Sequence, residues 1–168
     1  MGHFISKEIQ FDAGHRVPKH GSKCRNPHGH RYKIIVHCEG QIVTEEGSPD
    51  QGMLIDFGDL KTFMMTEIHD VLDHGFIAFT GDTTMLEALE CSGSGEAWKV
   101  IVFPYIPTAE NLARWCWEKL EPLINSHWRN NITLHRVDVW ETPTSVATYS
   151  SEEVDPLNWE RRRDAETI

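Results

Sequence analysis

From Ala13 to Cys38 the chain carries no Asp or Glu, six basic residues (Arg16, Lys19, Lys23, Arg25, Arg31, Lys33) and five of its ten histidines (His15, His20, His28, His30, His37). This segment lies between two stretches that read as strands. His3 to Phe11 alternates, and Arg31 to Glu39 (RYKIIVHCE) puts Tyr32, Ile34, Val36 and Cys38 on one face. The intervening Gly14 to Gly29 is rich in Gly, Pro and His and reads as a loop. If the two strands pair, His15 comes back beside His28 and His30, and several imidazoles meet at one end of a sheet.

On extended backbone, residues i and i+2 point to the same side. His28 and His30 then present two imidazoles to one ion, with Gly29 leaving the backbone between them unobstructed. Three neutral imidazoles suit Zn²⁺ at ~2.0–2.1 Å and leave a fourth position open for water or substrate. Two plainer readings stand beside this. The HxH pair can simply face solvent on a strand, or Cys24 can close the coordination shell and make the site structural. Cys24 lies between Lys23 and Arg25, whose positive charge favours thiolate, and an exposed thiolate can act as a general base. Cys38 and Cys116 sit in apolar periodicity and read as core, and Cys91 carries no legible signal.

A length of 168 residues suits one domain with a core of its own. Net charge is −10; outside the acid-free segment the chain has 10 basic and 26 acidic residues. An acidic body argues against a general nucleic-acid binder, while the local basic segment can still attract a small anion. The four cysteines are widely spaced and form no CxxC pair, so a disulfide scaffold and a four-cysteine zinc ribbon are poor readings. No run approaches the ~20 apolar residues of a membrane helix. Met1 to Gln10 lacks the pattern of a signal peptide, so a soluble, cytoplasmic protein without a membrane partner is expected.

Asp56 reads as the N-cap of a helix carrying Phe57, Leu60, Met64, Ile68 and Leu72, with Met53 to Asp56 as a short strand before it and Gly75 ending it. Thr80 to Glu96 reads as an irregular insertion with a short helix, and Trp98 to Phe103 as a strand. Pro107-Thr108-Ala109-Glu110 opens a second helix with Leu112, Trp115, Cys116, Leu120, Leu123 and Ile124 on its apolar side. Ile132 to Trp140 and Ser145 to Tyr149 read as strands. Two amphipathic helices and mostly antiparallel hairpins predict an α+β layer, as one domain over 1–150 with an insertion near 80–96 and a charged tail at 151–168.

Six blocks in this order resemble the 6-pyruvoyl-tetrahydropterin synthase / 6-carboxytetrahydropterin synthase family: FDAGHR (11–16), KCRNPHGHRY (23–32), GMLIDFGDLK (52–61), LDHGFI (72–77), PTAENLA (107–113) and VWETPTSVATY (139–149). The short gap from Cys24 to the HxH pair is similar to the 6-carboxytetrahydropterin synthase branch of queuosine biosynthesis. The resemblance implies a tunnelling fold, with a four-stranded antiparallel sheet, two helices on one face, and sheets joining into an oligomeric barrel. It implies a homo-oligomer, in this family often a hexamer, with active sites between subunits. The implied reaction turns 7,8-dihydroneopterin triphosphate into 6-carboxy-5,6,7,8-tetrahydropterin, releasing acetaldehyde and triphosphate.

By the same resemblance, His15, His28 and His30 hold the zinc, Cys24 accepts a proton, and Asp73 and His74 form a catalytic pair. Adjacent residues on a regular helix diverge, so that pair requires a helix end or turn. Glu141 matches the pterin anchor, since one carboxylate can accept the 2-amino group and the neighbouring ring N–H together. Thr108 and Glu110 either help hold the pterin or cap the second helix. Lys23 and Arg25, with Arg16 and Lys19, are expected to attract the triphosphate. The alternatives are a 6-pyruvoyl-tetrahydropterin synthase, which eliminates triphosphate without C–C cleavage, a zinc hydrolase of another substrate, and a non-catalytic zinc or pterin binder.

Overall fold

Alternation along the first two strands sets the layers. In the computed structural model, which describes residues 2–90, 98–128 and 131–151, β1 (His3–His15) buries Ile9, Phe11, Ala13 and His15. Gln10, Asp12 and Gly14 fall on its other side. β2 (His28–Gly40) buries Tyr32, Ile34, Val36 and Cys38. The two pair antiparallel, with His15 opposite His28 and Ala13 opposite His30. His15 ends one strand and His28 begins the next, so the hairpin's loop end gathers the histidines.

The predicted helix begins at α1 (Phe57–Met64), where the Asp56 carboxylate accepts from Gly58 N–H at 2.6 Å. Such a cap is worth about 1 kcal/mol. The helix continues through a π turn, Met65–His69, into a last turn, α2 (Asp70–Leu72). Leu60, Met64, Ile68 and Leu72 recur every four residues, a spacing that drifts by about 40° per step around a regular α-helix. The wider π turn takes back part of that drift. All four side chains consequently stay buried on one face.

A short helix, α3 (Thr83–Glu90), forms inside the expected insertion. α4 (Ala109–His127) starts at Thr108, whose hydroxyl accepts from Asn111 N–H, and packs across β5 (Ile132–Thr142) and β6 (Ser145–Ser150). Among the described residues, no helix is long and apolar enough to cross a membrane.

The expected four-stranded antiparallel sheet is corrected to a six-stranded mixed sheet. β3 (Gly75–Phe79) and β4 (Val100–Phe103) join it, giving the order β4-β3-β1-β2-β5-β6. β1, β2, β5 and β6 pair antiparallel, while β3 runs parallel to both β1 and β4. The missed strand, GFIAF, follows Leu72 almost directly and is a short apolar run without strict alternation. Parallel strands covered on both sides commonly read that way. Met53 to Asp56 forms no strand. The charged tail beyond 151, Cys91 and the end of the insertion lie outside the described residues.

Candidate active site

His15, His28 and His30 converge at the loop end of the β1–β2 hairpin. One ring nitrogen from each lies within 4.8 Å of the others. His15 Nδ1–H donates to the Pro107 carbonyl at 2.6 Å, and His28 Nδ1–H donates to the Asn26 carbonyl at 2.7 Å. Those partners are acceptors only, so they assign the proton to Nδ1 and leave the lone pair on Nε2. The two Nε2 atoms face each other at 3.2 Å, and the buried His30 Nε2 has no hydrogen-bond partner. Lone pairs this close repel unless a proton or cation lies among them. Burial, first of all, depresses His15 to about 4, against the opposing Pro107 hydrogen bond and with help from His28 and His30. His30 is lowered as well, again mainly by burial, with Glu141 opposing. Three ring nitrogens converging within 4.8 Å, one of them buried without a partner, fit a divalent metal ion.

Glu141 stands beside this cluster, its Oε1 3.6 Å from His15 Nε2 and 3.9 Å from His30 Nε2. It follows Val137 and Val139, both buried, while Arg136 and Asp138 meet His37 on the other face of the sheet. A register shift between Trp140 and Thr142 brackets Glu141.

Cys24 lies in a short 3-10 turn, Lys23–Arg25, anchored where Val17 N–H donates to the Cys24 carbonyl at 2.7 Å. It is half-buried and stands outside the histidine cluster. A cavity of about 200 Å³ brings Cys24 together with His20, Thr108, Glu110 and Glu141. The Pro107–Glu110 segment thus serves twice, orienting His15 through its carbonyl and lining the cavity beside Cys24. Cys38 and Cys116 are fully buried, and burial pushes the Cys38 thiol up to about 12 and Cys116 higher still. Lys23 and Arg25 are exposed and do not line the cavity. Arg16 is not free for an anion. It forms a two-pronged pair with Asp82, Nε to Oδ2 at 2.6 Å and Nη2 to Oδ1, and this pair holds the Asp82 carboxyl below the usual range.

Asp73 and His74 follow the last helical turn. Asp73 ends the helix in an extended conformation, and His74 takes φ +56°, the left-handed region more often filled by glycine. That conformation costs a non-glycine residue about 1 kcal/mol. The turn is pinned to β1: Asp12 N–H donates to Asp73 Oδ1 at 3.1 Å, and His74 N–H donates to the Asp12 carbonyl at 2.7 Å. The His74 ring donates from Nδ1 to Asp73 Oδ2 at 2.8 Å, and this contact foremost holds the Asp73 carboxyl below the usual range. His74 lines a second cavity, of about 480 Å³, with Asp12, Gly14, Gly29, His30 and Arg31. Cys24 is absent from it, and His74 is absent from the cavity of Cys24.

Comparison with known proteins decides the lineage. Residues 4–152 match the model of the 6-pyruvoyl tetrahydropterin synthase family. The chain belongs to this family. Among its curated relatives, the 6-carboxy-5,6,7,8-tetrahydropterin synthase of Haemophilus influenzae is 32% identical, over 86% of this chain and 96% of its own. The enzyme of the same name from Synechocystis sp. is 33% identical, over 91% of this chain and 97% of its own. An uncharacterized Wolinella succinogenes protein of known structure superposes with a TM-score of 0.73 at 27% identity, over 90% of this chain and 99% of that one.

Within this family member, several contributors to the site escape a reading by residue type. The Pro107 and Asn26 carbonyls that orient His15 and His28 are backbone groups, which leave no mark in composition. Asp82, which holds Arg16, lies in the segment read as an insertion. Its one available sign was the DTT sequence ahead of a helix, an N-cap pattern, and Asp82 Oδ1 does accept from Met85 N–H.

Proposed function

We propose that this chain is a 6-carboxy-5,6,7,8-tetrahydropterin synthase, converting 7,8-dihydroneopterin triphosphate and one water to 6-carboxy-5,6,7,8-tetrahydropterin, acetaldehyde and triphosphate. The observation that carries this reading is the three-histidine cluster beside one cavity holding Cys24, Thr108, Glu110 and Glu141. The curated relatives of that name, each matched over nearly its whole length, support it.

His15, His28 and His30 would hold Zn²⁺, which when bound supplies a Lewis acid that acidifies the hydroxyls of the substrate side chain. Glu141 accepts the pterin's amino group and ring N–H as paired hydrogen bonds, with Thr108 and Glu110 beside it. Cys24 takes a proton from the substrate side chain. The Asp73 carboxylate keeps the His74 proton on Nδ1, so Nε2 is the atom that receives or returns a proton. The separate cavities of Cys24 and His74 favour a working site composed between copies of the chain, in a homo-oligomer. Lys23 and Arg25 remain candidates for attracting the triphosphate from the surface.

The test is mass spectrometry of the products formed by zinc-loaded protein from 7,8-dihydroneopterin triphosphate. A carboxytetrahydropterin with acetaldehyde supports the assignment. A pyruvoyl product, whose formation consumes no water, would move the chain to the other branch of the family. Absence of turnover with metal bound would remove the substrate assignment.

A further inference from the structure

Lys99 precedes β4 and reaches back to the turn that carries His74. Its ammonium group donates to two carbonyls, Asp70 O and Asp73 O, each at 2.8 Å. These belong to the end of the helix, where carbonyls lack intrahelical partners. The Lys99 carbonyl in turn accepts from Phe76 N–H at 2.9 Å. Between these anchor points lie His74 and Gly75. A Cβ on Gly75 would stand 3.4 Å from Lys99 Cγ and 2.2 Å from Ile101 Cδ1, so Lys99 and its strand close tightly over the residue that follows His74. Lys99 therefore grips the chain on both sides of a histidine in a left-handed conformation. β1 holds the same turn as well, through Asp12 and through its pairing with Gly75 and Phe76.

We propose that Lys99 is a positioning residue for His74: it holds the Asp73–His74 turn in the conformation that keeps the His74 ring on the Asp73 carboxylate. This rests on the reading of His74 as a proton carrier. It also gives the parallel strands β3 and β4 a function, since they bring Lys99 to the turn. Lys99→Met keeps the aliphatic stem and removes both hydrogen bonds, whereas Lys99→Arg keeps a donor.

The experiment is a double-mutant cycle on the zinc-loaded, full-length protein with 7,8-dihydroneopterin triphosphate, below the melting range of every variant. Lys99→Met is expected to lower kcat about tenfold with KM within about twofold, because a small misplacement of a reacting group costs rate more than binding. Lys99→Arg is expected to restore most of the loss. In a His74→Ala background, Lys99→Met is expected to add nothing to the loss. A full additional loss there, or wild-type kcat in Lys99→Met, overturns the inference. If His74→Ala itself turns over normally, the role of His74 fails instead. A second reading needs no turnover: NMR of the resting protein should show the His74 Nδ1–H exchanging faster with solvent in Lys99→Met, with the His15 and His28 rings unchanged. Unaltered His74 exchange contradicts the proposal.

Discussion

The His15 side chain is 1% exposed and that of His74 is 79% exposed, although both are tied to the same end of β1. His15 owes its place to the hairpin register, to burial and to one carbonyl acceptor. Its conformation is ordinary strand, and the packing that holds it also keeps it neutral. His74 owes its place to a left-handed turn bolted to Asp12 and bracketed by Lys99. The fold thus buries one imidazole of the three-histidine cluster and leaves the His74 ring open to solvent. In a single chain, His74 and Cys24 also line different cavities. One chain thus brings its three histidines together by itself but sets Cys24 and His74 in separate cavities.

The sharpest way to break this contrast is at the cluster. His28→Ala leaves two imidazoles and is expected to lose metal on dialysis and to abolish turnover, measured by metal analysis and product assay. Cys24→Ala is expected to lower kcat by about 10²–10⁴ while metal content stays at the wild-type level. Loss of metal in that variant would make Cys24 a structural ligand after all. The buried side of the contrast has a pH signature in metal-free protein. The folded pKa of His15 lies near 4, below the ordinary 6.5, so unfolding takes up a proton between those values. Its contribution is complete above about pH 6.5 and is lost as pH falls toward 4, an effect of about 3 kcal/mol on the stability measured by chemical denaturation. His15→Gln should flatten that dependence. The smallest effect belongs to the turn: His74→Gly should be about 1 kcal/mol more stable than His74→Ala, because only glycine takes the left-handed conformation without cost.

The hairpin and its histidines were legible because strand period, loop composition and the HxH spacing all agree. Of the five residues read as one apolar face, Leu60, Met64, Ile68 and Leu72 are buried while Phe57, in the first turn, is exposed, and the π turn that keeps the four aligned was not legible. β3 was hidden because a five-residue apolar run carries no periodicity that separates strand from helix end. The left-handed conformation falls on His74 itself, not on Gly75, whose lack of a side chain is needed instead for packing against Ile101. Nothing in a single sequence foretells that exchange of roles. Arg16 had the right charge for an anion, but its partner Asp82 lies 66 residues away in sequence and emerges only once the chain is folded.

The separation of Cys24 from His74 makes mixing of inactive variants the most direct test. Cys24→Ala and His74→Ala proteins would be unfolded together, refolded as mixed oligomers with zinc, and assayed for 6-carboxy-5,6,7,8-tetrahydropterin. If each site takes Cys24 from one copy and His74 from another, an equal mixture regains about a quarter of wild-type turnover. A mixture as inactive as its parents would contradict a site shared between copies.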